Sequence, residues 1–532
     1  MKNIFFTLVL LSFSFVASAQ SYFDDGLSAE WHQSRREELR RLMPPNSAAV
    51  LFNNPVKNRS NDVDYMYHPD TDFFYLTGLR EPNAAVVIFS EERSVDGVVT
   101  DELIYVQPRD ERSEMWNGKR LGVEGVMDKL GFKHVYMFAD FGKNPKIEYG
   151  EIDKILSFNL DEDIEGGSAN SGLKKMVNSF KKASNYPINA QEINMQLYEL
   201  IRATDIENSA NVAQIISRYR QRYPTIEDDP VLKDFLSADS PEKRMAVKDQ
   251  LPSHKSDLVS LPKIMESLRE VKTVEEQVLL AKAAKISAIG QVEVMKATKV
   301  GISEREVQGI HEFIYKRYGA ESVGYPSIVG GGNNGCILHY IENDRDHVNE
   351  RLLLMDLGAE WKGYTADVTR TIPVSGVFNA EEKAIYELVL KAQEAGIAAC
   401  VPGAGFEDVD RAAREIIDEG LAQLGIINAG DGHDYFPHGT SHHLGLDVHD
   451  RGGYGELKEG IVLTVEPGIY IPEGSPCDEK WWGIAVRIED DIVVTSEGPL
   501  NLSKDAPRTV MAIEQMMKVP SILEEWVLPE ID

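Results

Sequence analysis

The sequence predicts an α/β amino-terminal domain over residues 20–271 and an α+β domain over residues 272–532. Three observations carry this reading. Short apolar runs follow a helical segment early in the chain. The pattern changes near residue 272, where helix-capping signals begin. Beyond that point, polar residues sit on apolar strands set between helices.

Residues 1–19 stand apart from both domains. Lys2 supplies positive charge, Ile4 to Val16 form an apolar core, and Ala17-Ser18-Ala19 is a small-residue cleavage site, so a signal peptide is expected. The mature chain is expected to start near Gln20 and to be periplasmic or secreted. The apolar run is shorter than the ~20 residues a spanning helix needs, and no later stretch is long enough. Gln20, standing where a lipoprotein presents cysteine, argues against a lipid anchor.

Trp31 to Leu42 has helical spacing, and Ala48–Phe52, Ala84–Phe89 and Leu103–Val106 have the length and composition of buried strands, which together make the α/β domain. From Phe141 to Pro262 the composition loosens. Glu165-Gly-Gly-Ser-Ala-Asn-Ser-Gly172, a lysine-rich segment and Glu227-Asp-Asp-Pro230 predict helices and exposed connections there. Thr273-Val-Glu-Glu276 then opens a helix with a capping box, followed by Val278, Leu279, Ala283, Ile286 and Ile289 at helical spacing. Ser303 caps a second helix, and Asn379 a third that starts with Glu381 and Glu382. An antiparallel sheet with helices on one side is expected.

Composition narrows the function classes. Hydrophobic content of 42% and charged content of 27% are those of a packed globular protein, and 532 residues allow two to four domains. Cys336, Cys400 and Cys477 have no paired spacing, so neither a disulfide framework nor a thiolate metal site is indicated. The formal charge of −30 repels nucleic acid and anionic membranes, so neither is an expected partner.

The second domain holds the residues with chemical potential. Leu352-Leu-Leu-Met-Asp356 is an apolar strand ending in a carboxylate, and a hairpin can bring Asp367, in Tyr364-Thr-Ala-Asp-Val-Thr-Arg-Thr371, beside it. Two aspartates so placed need a cation, because a buried unpaired charge costs several kcal/mol. Alternatively Asp367 pairs with Arg370 and Asp356 ends in a turn; these strands alone leave both readings open. His438-Gly-Thr-Ser-His-His-Leu-Gly-Leu-Asp-Val-His449 gathers four of the twelve histidines in a glycine-rich run, which favours ligands and proton-transfer groups over structural histidines. Val462-Leu-Thr-Val-Glu-Pro-Gly468 ends another apolar strand in Glu466. In Ile484–Ile492, alternation puts Arg487, Glu489 and Asp491 on one face; read in isolation, that face could equally be solvated.

The order Asp356, Asp367, His442, Glu466, Glu489, each in an apolar framework, resembles the pita-bread metallopeptidase family over residues 272–516. Gly332-Asn-Asn-Gly-Cys-Ile-Leu-His-Tyr340 and the His438–Asp450 run are most similar to its aminopeptidase P (Xaa-Pro aminopeptidase) branch. Asp70-Thr-Asp-Phe-Phe-Tyr-Leu-Thr-Gly-Leu-Arg-Glu-Pro82 and Arg109–Gly122 resemble that branch's amino-terminal domain, with residues 141–262 extended relative to a typical member.

The resemblance implies a pita-bread catalytic domain holding two divalent ions. Oxygen-rich ligation with one imidazole suits Mn2+, Fe2+, Co2+ or Zn2+, and the resemblance favours manganese. It assigns Asp356 to one ion, His442 and Glu466 to the other, and Asp367 and Glu489 to both. It makes a bridging hydroxide the nucleophile and Glu466 its proton acceptor. His339 and His449 are implied to bind substrate and stabilise the tetrahedral intermediate, and His438, Tyr470 and Arg487 to surround a proline pocket. Arg487 has the further reading of orienting a ligand carboxylate. The implied substrates are peptides with proline in second position, and the implied assembly is a homo-oligomer in which Trp116 approaches a neighbouring site. Prolidase is the nearest alternative activity, since it shares the metal centre. Methionine aminopeptidase fits less well, lacking the large amino-terminal domain, and a metal-free binding module should lack at least one ligand. His443 departs from the branch, where an aromatic such as tryptophan is expected, and bears on pocket shape.

Overall fold

The computed structural model describes residues 26–160, 164, 167–187, 192–251, 255–349 and 351–524; the expected signal peptide lies outside them. The first element is helix α1 (Ala29–Leu42), whose N-cap Ser28 accepts a hydrogen bond from Trp31 N and whose Trp31 and Leu39 are buried. Strand β1 (Ser47–Phe52) follows. Helix α2 (Thr71–Thr77) is capped by Asp70 and ends at Gly78, where φ is 72° and a Cβ would come 2.8 Å from the His32 ring.

Strands β2 (Ala85–Val95) and β3 (Val98–Val106) form a hairpin longer than the apolar runs predict. Its outer half carries Glu91, Glu92 and Arg93 and buries little besides Val95 and Thr100, so it lacks the apolar run of the inner half. Asp96 and Gly97, both with positive φ, close a two-residue turn matched to strand twist. With β4 (Val135–Met137), β5 (Lys154–Ser157) and β6 (Ser256–Asp257) these strands make a six-stranded sheet in the order β4-β3-β2-β1-β5-β6, mixed parallel and antiparallel.

Two of those strands correct the reading of residues 141–262 as helices and connections alone. Ile155 and Leu156 are buried on opposite faces, so β5 is a fully covered strand too short to show a period. Between β5 and β6, helices at Ser171–Ala183, Glu192–Arg202, Ser209–Arg222, Pro230–Ser237 and Pro241–Lys248 do appear. The last four enclose a small core of their own, including Ile201, Ile216 and Phe235.

Helix α3 (Ser260–Glu270) leads into the second half. There α4 (Val274–Ala297), α5 (Glu304–Arg317), α6 (Ala380–Ala399) and α7 (Phe406–Gln423) surround short antiparallel strands, with capping boxes at Thr273 and Asn379. The expected single sheet is divided into pieces. Strands β7 (Ile328–Gly331), β8 (Leu352–Asp356) and β9 (Thr369–Pro373) form one. Of β10 (Val462–Val465), β11 (Gly468–Ile471), β12 (Ile484–Arg487) and β13 (Asp490–Val493), β10 pairs with β13 and β11 with β12. Pro467 interrupts the first of these segments and Ile488-Glu489 the second. The breaks turn strand ends inward, and the carboxylates sit at those ends.

Candidate metal centre

Asp356 closes β8 opposite Thr369 of β9, and Asp367 lies two residues before β9, off the strand on which the sequence places it. Glu466 follows β10 and Glu489 precedes β13. Donor atoms of Asp367, His442 and Glu489 all fall within 4.8 Å of one another. His442 Nε2 is 3.5 Å from both Asp367 Oδ2 and Glu466 Oε1. Asp356 joins the same cleft, so all five proposed ligands converge. Arg370 is not the partner of Asp367. It bonds Asp490 and the Glu489 carbonyl, bracing the main chain behind the cluster.

The charges in this cluster are not self-sufficient. Burial, then Asp356 and Glu466 beside it, push the Asp367 carboxyl well above its ordinary range. Burial does the same to Glu489, with Asp367 next in weight, and pushes Glu466 up to about 7. Tyr325 hydroxyl reaches Asp356 Oδ1 and lies 2.6 Å from Asp367 Oδ1, although it has one proton to donate. His442 Nδ1 sits 2.9 Å from the His443 carbonyl; donating its proton there leaves the Nε2 lone pair aimed at carboxylate oxygens. Acceptors facing acceptors in a buried cleft require a cation between them. Four carboxylates and one imidazole therefore fit divalent ions of the oxygen-preferring kind.

The outer residues line a cleft of about 400 Å³ that includes His339, His438, His449, Arg487 and Tyr454. His449 stacks edge-on to His442, with ring centroids 4.3 Å apart. Arg487 is fully committed: Nη2 binds Asp356 Oδ2 at 2.7 Å, Nη1 donates to Tyr470 OH at 3.0 Å, and Nε donates to Thr369 Oγ1 at 3.2 Å. Tyr470 OH is 2.7 Å from His438 Nε2, and His438 Nδ1 is 2.9 Å from the Gly439 carbonyl. Burial, with Arg487 nearby, lowers His438 to about 4, so it is neutral and its Nε2 accepts from Tyr470. A directed chain runs from Arg487 through Tyr470 to His438. The face carrying Arg487, Glu489 and Asp491 is buried, not solvated.

His443, the departure from the expected aromatic, points away from the cleft, packing on Phe406 and Tyr454 with Nε2 3.0 Å from the Gly453 carbonyl. Its ring meets the cleft lining at Tyr454, and its main-chain carbonyl fixes His442. Trp116 lies on an exposed helix, Glu111–Asn117, outside this cleft. Sequence reasoning missed Tyr325, Thr369, which donates to Glu489 Oε2 at 2.6 Å, and the Asp491 side chain, which accepts from Asp367 N. Tyr325 is separated from its carboxylates by 31 and 42 residues and carries no local signal. Thr369 is separated from the carboxylate it braces by 120 residues and carries no local signal either.

Residues 278–496 match metallopeptidase family M24, and residues 32–148 match the aminopeptidase P N-terminal domain. The Xaa-Pro aminopeptidase of Escherichia coli K12 is 31% identical over 504 residues, covering 92% of this chain and 98% of that protein. Xaa-Pro aminopeptidase 3 of Homo sapiens is 30% identical, covering 92% and 86%. The structure of E. coli aminopeptidase P with the inhibitor Pro-Leu superposes with a TM-score of 0.71 at 30% identity, covering 92% of this chain and 98% of that one. Proline aminopeptidase P II from Yersinia pestis gives the same TM-score at 29% identity, covering 92% and 99%. An α/β amino-terminal domain, a pita-bread second domain and a convergent carboxylate–histidine cluster thus agree with both matches, and the chain belongs to the aminopeptidase P branch of metallopeptidase family M24.

Proposed function

We propose that this chain is a metal-dependent aminopeptidase that releases the N-terminal residue from peptides with proline in second position. The observation that carries the reading is the convergence of Asp356, Asp367, His442, Glu466 and Glu489 beside the Arg487–Tyr470–His438 chain. Relatives named Xaa-Pro aminopeptidase over nearly the full chain support the proline preference. Two divalent ions, when bound, would supply the Lewis-acid activation of water and of the scissile carbonyl. The ligand chemistry suits Mn2+, Fe2+, Co2+ or Zn2+, and we assign Mn2+ among them from the family resemblance; a zinc-substituted relative is also known in complex with product.

The protein's own groups divide the remaining work. Glu466, half-buried at the cleft edge with Oε1 3.5 Å from His442 Nε2, accepts at its carboxylate the proton lost by the attacking water and passes it towards the leaving nitrogen. His449 and His339 line the cleft where they can donate to the substrate carbonyl oxygen. Neutral His438, with Tyr470 held by Arg487, shapes the side of the cleft that receives the proline ring. Arg487 acts through Asp356 and Tyr470, both of which it binds directly.

Export to the periplasm or medium and assembly as a homo-oligomer belong to the same proposal. The first rests on residues 1–19; among the described residues no helix is long and apolar enough to cross a membrane. The deciding experiment is an assay of the full chain with Mn2+ against an X–Pro–Y tripeptide and an X–Pro dipeptide. Tripeptide cleavage supports the aminopeptidase; strict dipeptide cleavage makes it a prolidase, and cleavage of neither overturns the reading.

A further inference from the structure

The four carboxylates stand in two pairs, and behind each pair a buried glutamine reaches from a helix. Gln291 of α4 is fully buried, and its Nε2 donates to the Val368 carbonyl at 2.7 Å and the Met355 carbonyl at 3.3 Å. Those carbonyls belong to the residue after Asp367 and the residue before Asp356. Its Oε1 has no partner, so the amide is oriented by the two bonds it donates; reversed, it would set an oxygen against two carbonyl oxygens.

Gln393 of α6, also fully buried, occupies the corresponding place in the other half. Its Nε2 donates to Asp490 Oδ2 at 3.0 Å and lies 3.4 Å from the Val465 carbonyl, while its Oε1 accepts from Arg508 Nη1 at 2.9 Å. Asp490 follows Glu489, and Val465 precedes Glu466. Each glutamine therefore touches the residue before one carboxylate of a pair and the residue after the other. Its two N–H groups tie the end of β8 to the residue before β9, or the end of β10 to the first side chain of β13, where the ligands turn inward. A primary amide is a poor choice for filling a core, because each of its polar atoms needs a partner there. Holding two strand ends at a set spacing is a task that an apolar side chain of equal volume cannot perform.

We propose that Gln291 and Gln393 are positioning residues of the metal centre, each fixing one carboxylate pair through the residues on either side of it, Gln291 by two main-chain carbonyls and Gln393 by the Val465 carbonyl and the Asp490 side chain; this rests on the metal reading above. The test strips the purified full chain of metal and titrates it with Mn2+ by equilibrium dialysis, for wild type, Gln291→Met and Gln393→Met. Methionine preserves volume while removing the donor. Manganese affinity is expected to fall by about tenfold to a hundredfold in each variant, as is usual when outer partners of ligands are lost. Turnover number should recover at saturating Mn2+ with KM unchanged. Wild-type manganese affinity in a variant whose metal-free unfolding temperature is lowered would show ordinary core packing and overturn the proposal. If the methionine variants do not fold, Gln291→Glu and Gln393→Glu, which keep the shape but lose the two-proton donor, are measured in the same way. Wild-type affinity in those overturns it equally. A wild-type chain that binds no Mn2+ defeats the metal reading itself, and the positioning role with it.

Discussion

Asp367 is the residue on which the most constraints meet. Its backbone N–H is held by the Asp491 carboxylate, one oxygen by Tyr325, and the other faces His442. Replacing it removes a candidate ligand and also relieves repulsion in the metal-free cluster. Asp367→Ala is therefore expected to abolish X–Pro–Y hydrolysis and lower metal content, while the metal-free unfolding temperature holds or rises; wild-type turnover would refute the assignment. Tyr470→Phe keeps the ring but leaves Arg487 Nη1 and His438 Nε2 without their shared partner. We expect kcat/KM for the tripeptide to fall by about tenfold or more, on the order of 1.4 kcal/mol, at unchanged metal content. His311 shows the same physics away from the site. Fully buried with neither ring nitrogen partnered, it is lowered to about 3 by burial, and His32 to about 4 by burial above all. Both are neutral in the fold, whereas the unfolded chain takes up a proton near pH 6.5. Stability is therefore full above that pH and declines as pH falls from 6.5 towards 3. His311→Leu should flatten this decline, by up to about 2 kcal/mol between pH 6.5 and 5, in urea unfolding series at several pH values.

At the scale of the element, helix starts were the most legible feature, because a cap is a local arrangement. Thr273 Oγ1 accepts from Glu276 N at 3.3 Å, and Glu276 Oε2 accepts from Thr273 N at 2.8 Å, as the Thr-x-x-Glu spacing predicts. The structure adds what spacing cannot show. The same Thr273 hydroxyl accepts from Trp31 Nε1 at 3.1 Å, and Glu276 Oε1 accepts from Tyr364 at 3.0 Å, so the cap of α4 also joins the two halves of the molecule. Thr273→Ala should then cost more than a surface cap, about 2 kcal/mol against the usual ~1, visible as a lower denaturation midpoint. Strands were read less well. The outer half of the β2–β3 hairpin and all of β5 were missed, since one is largely exposed, with Val95 and Thr100 alone buried, and the other is covered on both faces, and neither shows the alternation of a half-buried strand.

At the scale of the whole molecule, one buried side chain ties the amino-terminal half to the loop that carries His449. Arg269, 1% exposed at the end of α3, donates to Thr71 and Asp72 of α2 and to Asp447 and Asp450, which flank His449. Lys272 adds a second cation to Asp450, and Arg451 one to Asp72. Burial opposes ionisation of Asp450, but these cations overcome it and hold the carboxyl below its usual range. Arg269→Met should cost about 3–5 kcal/mol by leaving buried carboxylates short of charge, and should reduce kcat/KM through the His449 loop with the metal ligands intact. Urea unfolding and tripeptide kinetics on the same preparation check both. Read along the chain, the residues sufficed for the two-part architecture and the helix caps, which are written in spacing, while the five candidate ligands emerged only when their order was set beside a family, since each strand alone left other partners open. Folding alone decided which groups compensate those charges. Tyr325, Thr369, Gln291, Gln393 and Arg269 act across tens to hundreds of residues, and a buried charge declares in sequence that it needs a partner without declaring where that partner comes from.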